Sequence, residues 1–331
     1  MTNYCISRTD SIGDVVLTLP LAGFLKEKDP NATIIFLGKN YTKPIVENAS
    51  FVDRFISWDE LENKSFEEAV NFIKELNLDY FYHVFPKKSI AKIVKKAQVP
   101  HRVGTSHRFF HLFYCNERIS FTRKGSDLHE AQLNCELFKS SFKFNTPTIE
   151  NLITWTKINE IKPTEKVNSF LGSKPIVLLH AKSKGSAVEW GIAKFVNLSH
   201  ELQALGFKVL FTGSSEEKEL IEPFIEKTDY IENICGQLTL EELLSLIQNS
   251  HALIACSTGP LHMAAASGIQ SIGLFSTMRP IHPGRWHPIG KKAVTIVSVP
   301  DELPGVIKSD ASDIVDITVQ MILEKLNPIE T

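Results

Sequence analysis

Residues 251–275 read HALIACSTGPLHMAAASGIQSIGLF. An apolar run, HALIAC (251–256), stops at a turn of small polar residues. GPLHMAAASG (259–268) follows as a small-residue helix, and QSIGLF (270–275) is a second apolar run. A strand, a helix and a strand in so short a span predict a βαβ unit, and hence a parallel sheet buried on both faces. The turn Ser257, Thr258, Gly259, with Pro260 at the first helical position, offers backbone N–H groups and two hydroxyls at a positive helix end. Beyond the carboxyl end of a strand, such a place suits a phosphate or pyrophosphate. A plain Ser/Thr helix cap accounts for the same residues.

The same alternation extends in both directions. Upstream lie PIVLLHA (175–181), the loop KSKGSAVEWG (182–191), the amphipathic AKFVNLSHELQALG (193–206), FKVLFTGS (207–214) and TLEELLSLIQNS (239–250). The first half repeats the unit: NYCIS (3–7), a polar loop, a helix from Asp14 to about Lys28, and ATIIFLGK (32–39). DYFYHVF (79–85), a basic helix and HRVGTS (101–106) continue it. The polar stretch 156–175, with two prolines, separates the halves. The pattern predicts an α/β protein of two Rossmann-like parallel-sheet domains facing each other across a cleft. Residues 1–155 form the first domain, 156–175 a linker, 176–305 the second domain, and 306–331 a terminal helix that packs back on the first.

Composition narrows the function. A chain of 331 residues, 43% hydrophobic and 22% charged, is an ordinary globular protein of about two domains. Its five cysteines are scattered and form no C-x-x-C, which suits reduced, buried thiols. MTNYCISRTD lacks the charged and apolar regions of a signal peptide. The longest apolar stretch, Val15 to Leu25, is broken by Thr18, Pro20 and Gly23 and falls far short of the ~20 residues that span a bilayer. A cytoplasmic protein is expected. Net charge is −2, yet residues 86–124 hold ten basic residues against one acid, Glu117, for a local charge of +9. That imbalance points to a local anionic partner rather than to nucleic acid, although solvated helix faces also carry charge runs.

Several common chemistries leave no signature. No G-x-G-x-x-G follows a strand, so no dinucleotide cofactor is signalled. GRWHPIGKK (284–292) has the wrong glycine spacing for a phosphate loop, and HRFFH (107–111) lacks a carboxylate to complete a metal site. No Asp-x-Asp is present to hold a divalent ion. What remains is RTDSIGDVVLTLP (8–20), where Gly13 turns the loop and Asp14 opens a helix at the end of the first strand. A carboxylate there is held ionised and can take a proton from a hydroxyl. It can equally be a cap, with Asp10 and Ser11 as rival caps. In LFTGSSEEKEL (210–220), Glu216 or Glu217 can complement a helix dipole or accept bonds from ribose hydroxyls.

Together these stretches resemble the heptosyltransferases, glycosyltransferase family 9 with the GT-B fold. SIGDVVLTLP (11–20), HRVG (101–104), the His129–Glu130 pair, LLHAKSKGSAVEW (178–190), TGSSEE (212–217) and STGPLHMAAASG (257–268) carry the resemblance. It implies an inverting, metal-independent transfer from a nucleotide-diphosphate sugar, typically ADP-heptose, to an acidic glycolipid of the lipopolysaccharide core, with no cofactor. Asp14 takes the place of the catalytic base, and Arg8, Ser11, Gly13, Arg102 and His129 are the acceptor-side candidates. The donor side takes Ser257, Thr258 and Gly259 for the diphosphate and Glu217 for the ribose, with His262 and, from the donor loop, Lys182, Ser183 and Lys184. Two positions depart from the family. Val188 stands where a lysine is common, and Ser257 where an acid is usual. Lys182, Lys184, Arg279 and Arg285 are the candidates to restore the missing positive charge. The resemblance also gives the +9 segment an anionic membrane face as partner. A sugar-nucleotide epimerase and a catalytically silent nucleotide-binding protein are the rival readings of the same fold.

Overall fold

Apolar runs with flanking turns become strands in both halves. The first six are β1 (Asn3–Ser7), β2 (Thr33–Gly38), β3 (Arg54–Ser57), β4 (Tyr80–His83), β5 (His101–Thr105) and β6 (Glu117–Ile119). They form one sheet in the order β3-β2-β1-β4-β5-β6, with every pair parallel. The next six are β7 (Ile176–His180), β8 (Lys208–Phe211), β9 (Ile231–Asn233), β10 (Ala252–Cys256), β11 (Gln270–Leu274) and β12 (Ala293–Ile296). Their order is β12-β11-β10-β7-β8-β9, again parallel throughout. Counted within its own half, each sheet runs 3-2-1-4-5-6. The computed structural model describes residues 1–226, 228–298 and 311–329, and the chain divides into two units, Met1–Asn159 and Glu160–Thr331.

This order fixes where chemistry belongs. In each sheet the first strand pairs with the fourth, and the chain's winding reverses between them. Ligands of such folds bind at that reversal, outside the carboxyl ends of the strands. In the first unit the reversal lies between β1 and β4, where Ser7 is in register with His83. In the second it lies between β7 and β10, where His180 is in register with Ala255. The loops leaving β1 and β10 are the two stretches the sequence singled out.

Burial of both sheet faces explains the unbroken apolar strands. Phe81, Ile35 and Leu37 pack with Ile73, Ile90 and Val94 of covering helices in the first unit. In the second, Val177, Leu179, Ile254 and Ile272 pack with Phe195, Leu198 and Leu202. Helix Lys88–Lys96 turns Ile90, Ala91, Ile93 and Val94 inward and its lysines outward. All five cysteines are buried and unpaired.

Three expectations change. The helix from Asp14 to Lys28 is two helices, Ile12–Val16 and Pro20–Lys28. Pro20 has no N–H to continue the first helix and takes the opening turn of the second instead. The stretch 156–175 is divided between the units rather than left as a free linker. Asn159 donates to the Asn48 carbonyl at 2.7 Å, while helix Glu165–Phe170 buries Val167 and Phe170 in the second unit. The described residues of the terminal segment, expected to pack on the first unit, belong to the second: Ile314, Ile317 and Ile322 enter its core, and Trp190 Nε1 donates to the Ile317 carbonyl at 2.8 Å. They form two short pieces, a 3-10 turn at Ala311–Asp316 and helix Val319–Leu323. The boundary expected at 305/306 lies outside the described residues.

Candidate active site

In the first unit, the loop after β1 is built around a buried guanidinium. Arg8 is only 5% exposed. Its Nε donates to Asp10 Oδ1 at 2.6 Å, Nη2 to Asp14 Oδ1, and Nη1 to Asn134 Oδ1 at 3.2 Å, with Glu130 Oε1 at 3.6 Å. Arg123 completes the cluster, bonding Glu130 at 3.0 Å and Asn134 at 2.8 Å. Three carboxylates therefore share two guanidiniums, which leaves the cluster with a net negative charge when all are ionised. Burial pushes the Asp10 carboxyl up to about 6, reinforced by Asp14 and opposed by Arg8.

The loop's other residues take specific places. Ser11 sits at the N-cap position of helix Ile12–Val16, but its hydroxyl caps no backbone N–H. It donates to Asp14 Oδ2 instead, because a hydroxyl bonds more strongly to a carboxylate than to a neutral amide. Asp10 does not cap the helix either; Arg8 takes its carboxylate, and its carbonyl accepts from the Tyr41 hydroxyl. Gly13 does not turn the loop: it lies inside the helix, and its φ is not positive. Asp14 is thus held from one side by Arg8 and from another by Ser11, with its side chain 18% exposed.

The remaining acceptor-side candidates are turned inward. His129 is buried at the start of helix Glu130–Cys135, where its Nδ1 accepts from the Ala131 N–H at 3.2 Å. The Arg102 guanidinium bonds the Tyr114 carbonyl at 2.9 Å and the Val99 carbonyl, bracing the chain around β5. His107 and His111 do not share a helix. His111 is buried and bonds the Thr105 carbonyl through Nδ1 at 2.8 Å, whereas His107 is exposed.

In the second unit, helix Gly259–Ala266 starts behind β10 with Thr258 at its N-cap and proline in its first turn. The plain-cap reading requires a hydroxyl on a first-turn N–H, and neither Ser257 nor Thr258 makes that bond. Thr258 Oγ1 is buried without a hydrogen-bond partner, as is His262 Nδ1. His262 is no cation: burial, with His287 nearby, holds its imidazole down at about 4, so it is neutral near pH 7. Any attraction this helix end exerts on an anion therefore comes from its backbone amides and not from a histidine charge.

The donor loop is clamped by a residue the sequence reading passed over. Glu189 accepts from Lys182 Nζ and, at 2.9 and 3.0 Å, from the Ser183 N–H and hydroxyl. Burial raises the Glu189 carboxyl, but these donors outweigh it and hold it below its usual range. Lys184, at φ +49, is exposed and lies 3.4 Å from Glu216. Val188 packs against the second unit's core, so this position presents an apolar side chain. Arg285, in the short helix Pro283–Trp286, stacks its guanidinium 5.1 Å from the Trp286 ring centre; Arg279 lies in the preceding loop. Glu217 joins a reciprocal cap with Ser214: its Oε2 accepts the Ser214 N–H at 2.8 Å, and Ser214 Oγ accepts the Glu217 N–H. Gly213 makes room for this arrangement, since a Cβ there would lie 2.8 Å from Glu217 Oε2 and 2.9 Å from Cys235 Sγ. His180, at the end of β7, bonds the Thr212 hydroxyl at 3.0 Å, and burial keeps it neutral despite nearby Glu217.

The family model described as glycosyltransferase family 9 (heptosyltransferase) matches residues 86–312. The chain belongs to glycosyltransferase family 9. It is 25% identical to lipooligosaccharide heptosyltransferase 2 of Haemophilus influenzae, over 96% of each chain, and 24% identical to lipopolysaccharide heptosyltransferase 3 of Escherichia coli, over 80% of each. Its fold matches the E. coli ADP-heptose lipopolysaccharide heptosyltransferase II with a TM-score of 0.76 at 19% identity, covering 98% of this chain and 97% of that one. A family 9 glycosyltransferase from Veillonella parvula matches with a TM-score of 0.78 at 17% identity, covering 98% and 96%. This family 9 member is accordingly a glycosyltransferase with the GT-B architecture of the heptosyltransferases. Its Asp14 lies in the helix that follows β1, at the sheet reversal of the first unit.

Proposed function

We propose that this family 9 glycosyltransferase transfers a heptose or related sugar, with inversion, from a nucleotide-diphosphate donor to a glycolipid acceptor of the lipopolysaccharide core. The observation that carries the reading is the Asp14 carboxylate. It stands at the sheet reversal, held by Arg8 and Ser11, in a cluster of three carboxylates and two guanidiniums. ADP-heptose is the first donor to test, being named in the E. coli heptosyltransferase II that shares this fold.

In the proposed step, the acceptor hydroxyl oxygen attacks the anomeric carbon from the face opposite the diphosphate. The bond from that carbon to the diphosphate oxygen breaks, and the nucleoside diphosphate departs with the electron pair. Asp14 takes the hydroxyl proton as the new bond forms. The leaving group's growing charge falls to the backbone amides at Thr258 and Gly259, supported by Arg279 and Arg285. Such preorganised donors usually supply the largest share of transition-state stabilisation. No step needs a divalent ion. Glu217 is proposed to accept from the ribose: its bond to Ser214 uses Oε2 and leaves Oε1 for a ligand. Lys182 serves mainly to close the donor loop on Glu189.

Transfer is read by mass spectrometry of an acceptor glycolipid incubated with ADP-heptose. Asp14→Asn is expected to lower turnover by at least about a hundredfold, the usual weight of a general base, while ADP affinity by calorimetry stays within about twofold. Full turnover in this variant would remove Asp14 from the mechanism. Arg279→Ala and Arg285→Ala are expected to weaken ADP binding, and unchanged affinity in both would discard their role.

A further inference from the structure

Between Ser106 and Tyr114 one histidine is buried while three large apolar residues are exposed. His111 is fully buried, while Phe109 is 75% exposed, Phe113 56% and Leu112 51%. Water favours the opposite arrangement, and isolated exposed apolar residues are common where clusters are not. These three residues lie within five positions, and the two phenyl rings meet edge to face at 5.3 Å.

The display is fixed rather than loose. His111 ties the segment inward through the Thr105 carbonyl. Lys95 Nζ donates to the Phe113 carbonyl at 2.7 Å, Arg102 Nε to the Tyr114 carbonyl at 2.9 Å, and Arg118 Nη1 to the Cys115 carbonyl at 2.9 Å. The aromatic residues therefore stand beside exposed cations: Lys95 and Arg118 reach carbonyls of this stretch, Arg108 precedes Phe109, and Lys96 follows Lys95 on the outward side of helix Lys88–Lys96. Glu117, the only acid of the +9 segment, is occupied by His101 at 2.5 Å.

We propose that Phe109, Leu112 and Phe113 insert into the interfacial layer of an anionic bilayer, while Arg108, Lys96 and Arg118 engage the lipid phosphates. The pairing of an apolar wedge with a cationic rim matches that layer, where rings sit at headgroup depth and basic residues meet anionic lipid. A second copy of the chain fits less well, because a two-fold contact would set one cationic rim against another. Neither the wedge nor the rim suffices alone, since stable peripheral attachment takes two signals. The inference rests on the reading of the acceptor as a membrane glycolipid, and it gives the acceptor-binding unit a means of reaching that acceptor.

The test is sedimentation of the full chain with vesicles of phosphatidylcholine alone and of phosphatidylcholine with phosphatidylglycerol. The wild-type chain is expected to bind the anionic vesicles, to bind more weakly as salt screens the charges, and to leave neutral vesicles in the supernatant. Phe109→Ser/Phe113→Ser is expected to lose at least about tenfold in binding, from the apolar area withdrawn, and Lys96→Gln/Arg108→Gln a comparable amount. Binding that ignores the phenylalanine substitutions overturns the insertion, as does equal binding to both vesicle types or none to either. A wild-type dimer that the phenylalanine variant abolishes would assign the patch to a second copy and overturn it as well. Both variants are also assayed on a detergent-dispersed acceptor, where their turnover should equal the wild-type value. If no protein transfers sugar but vesicle binding follows the phenylalanines, the functional reading fails and the anchor stands.

Discussion

Arg8 is the residue around which the first unit's polar cluster is built. Its guanidinium meets Asp10, Asp14, Glu130 and Asn134, the last of them 126 residues away in sequence. Local residues left Asp14 open between cap and base, with Asp10 and Ser11 as rival caps, and the family resemblance selected it. Arg8 could not be read as its partner, since the bonds that bury it come from a helix in the middle of the chain. Asp10 was legible only as a carboxylate; its environment makes it titrate. Its folded carboxyl lies above the unfolded value, so its contribution to stability is fully present below about pH 4 and is lost as pH rises through about 6. Asp10→Asn removes that loss. The melting temperature of the variant relative to wild type should therefore rise between pH 5 and pH 8. A constant difference across that range would show that Asp10 does not titrate there.

At the scale of elements, the loop from β8 into helix Ser215–Ile221 carries a capping box on the residue proposed to meet the ribose. TGSSEE was readable as a helix start, with an acid free to choose between cap and ribose. The structure gives Glu217 the cap through one oxygen and depends on Gly213 to leave it room. Gly213→Ala forces Glu217 and Cys235 apart, at a cost of about 1–3 kcal/mol in denaturant unfolding, with weaker ADP binding in calorimetry. Loss of stability without loss of affinity would confine Glu217 to capping. Pro20 illustrates the opposite case, since its consequence was present in the sequence. Apolar spacing suggests one helix across residues 14–28, yet the missing N–H decides for two. The Glu189 clamp was hidden for a different reason: AVEW draws the eye to the absent lysine, whereas the acid beside it organises the loop.

For the whole molecule, the two sheets were the most legible feature, because strands buried on both faces must read as unbroken apolar runs. Their identical 3-2-1-4-5-6 order follows from right-handed crossovers once the reversal is placed. The shifted histidines were not legible as a group: His83, His111 and His262 are buried, and His180 and His287 are half-buried. His83, His111, His180, His262 and His287 are all held below their usual value, mainly by burial. Each contributes stability above the unfolded value of about 6.5 that is lost as pH falls through its folded value. For His262, down at about 4, the loss by pH 4 is about 3 kcal/mol, opposite in sign to the gain at Asp10. The guanidinium midpoint should accordingly be lower at pH 5 than at pH 7, and an equal midpoint would contradict this ledger. The terminal segment has a separate consequence for recombination. Because Ile314, Ile317 and Ile322 fill the second unit's own core, each half of the polypeptide is contiguous. A chimaera exchanging the second unit between family members therefore needs one crossover, near Asn159, and can carry the foreign carboxyl terminus along without a second splice.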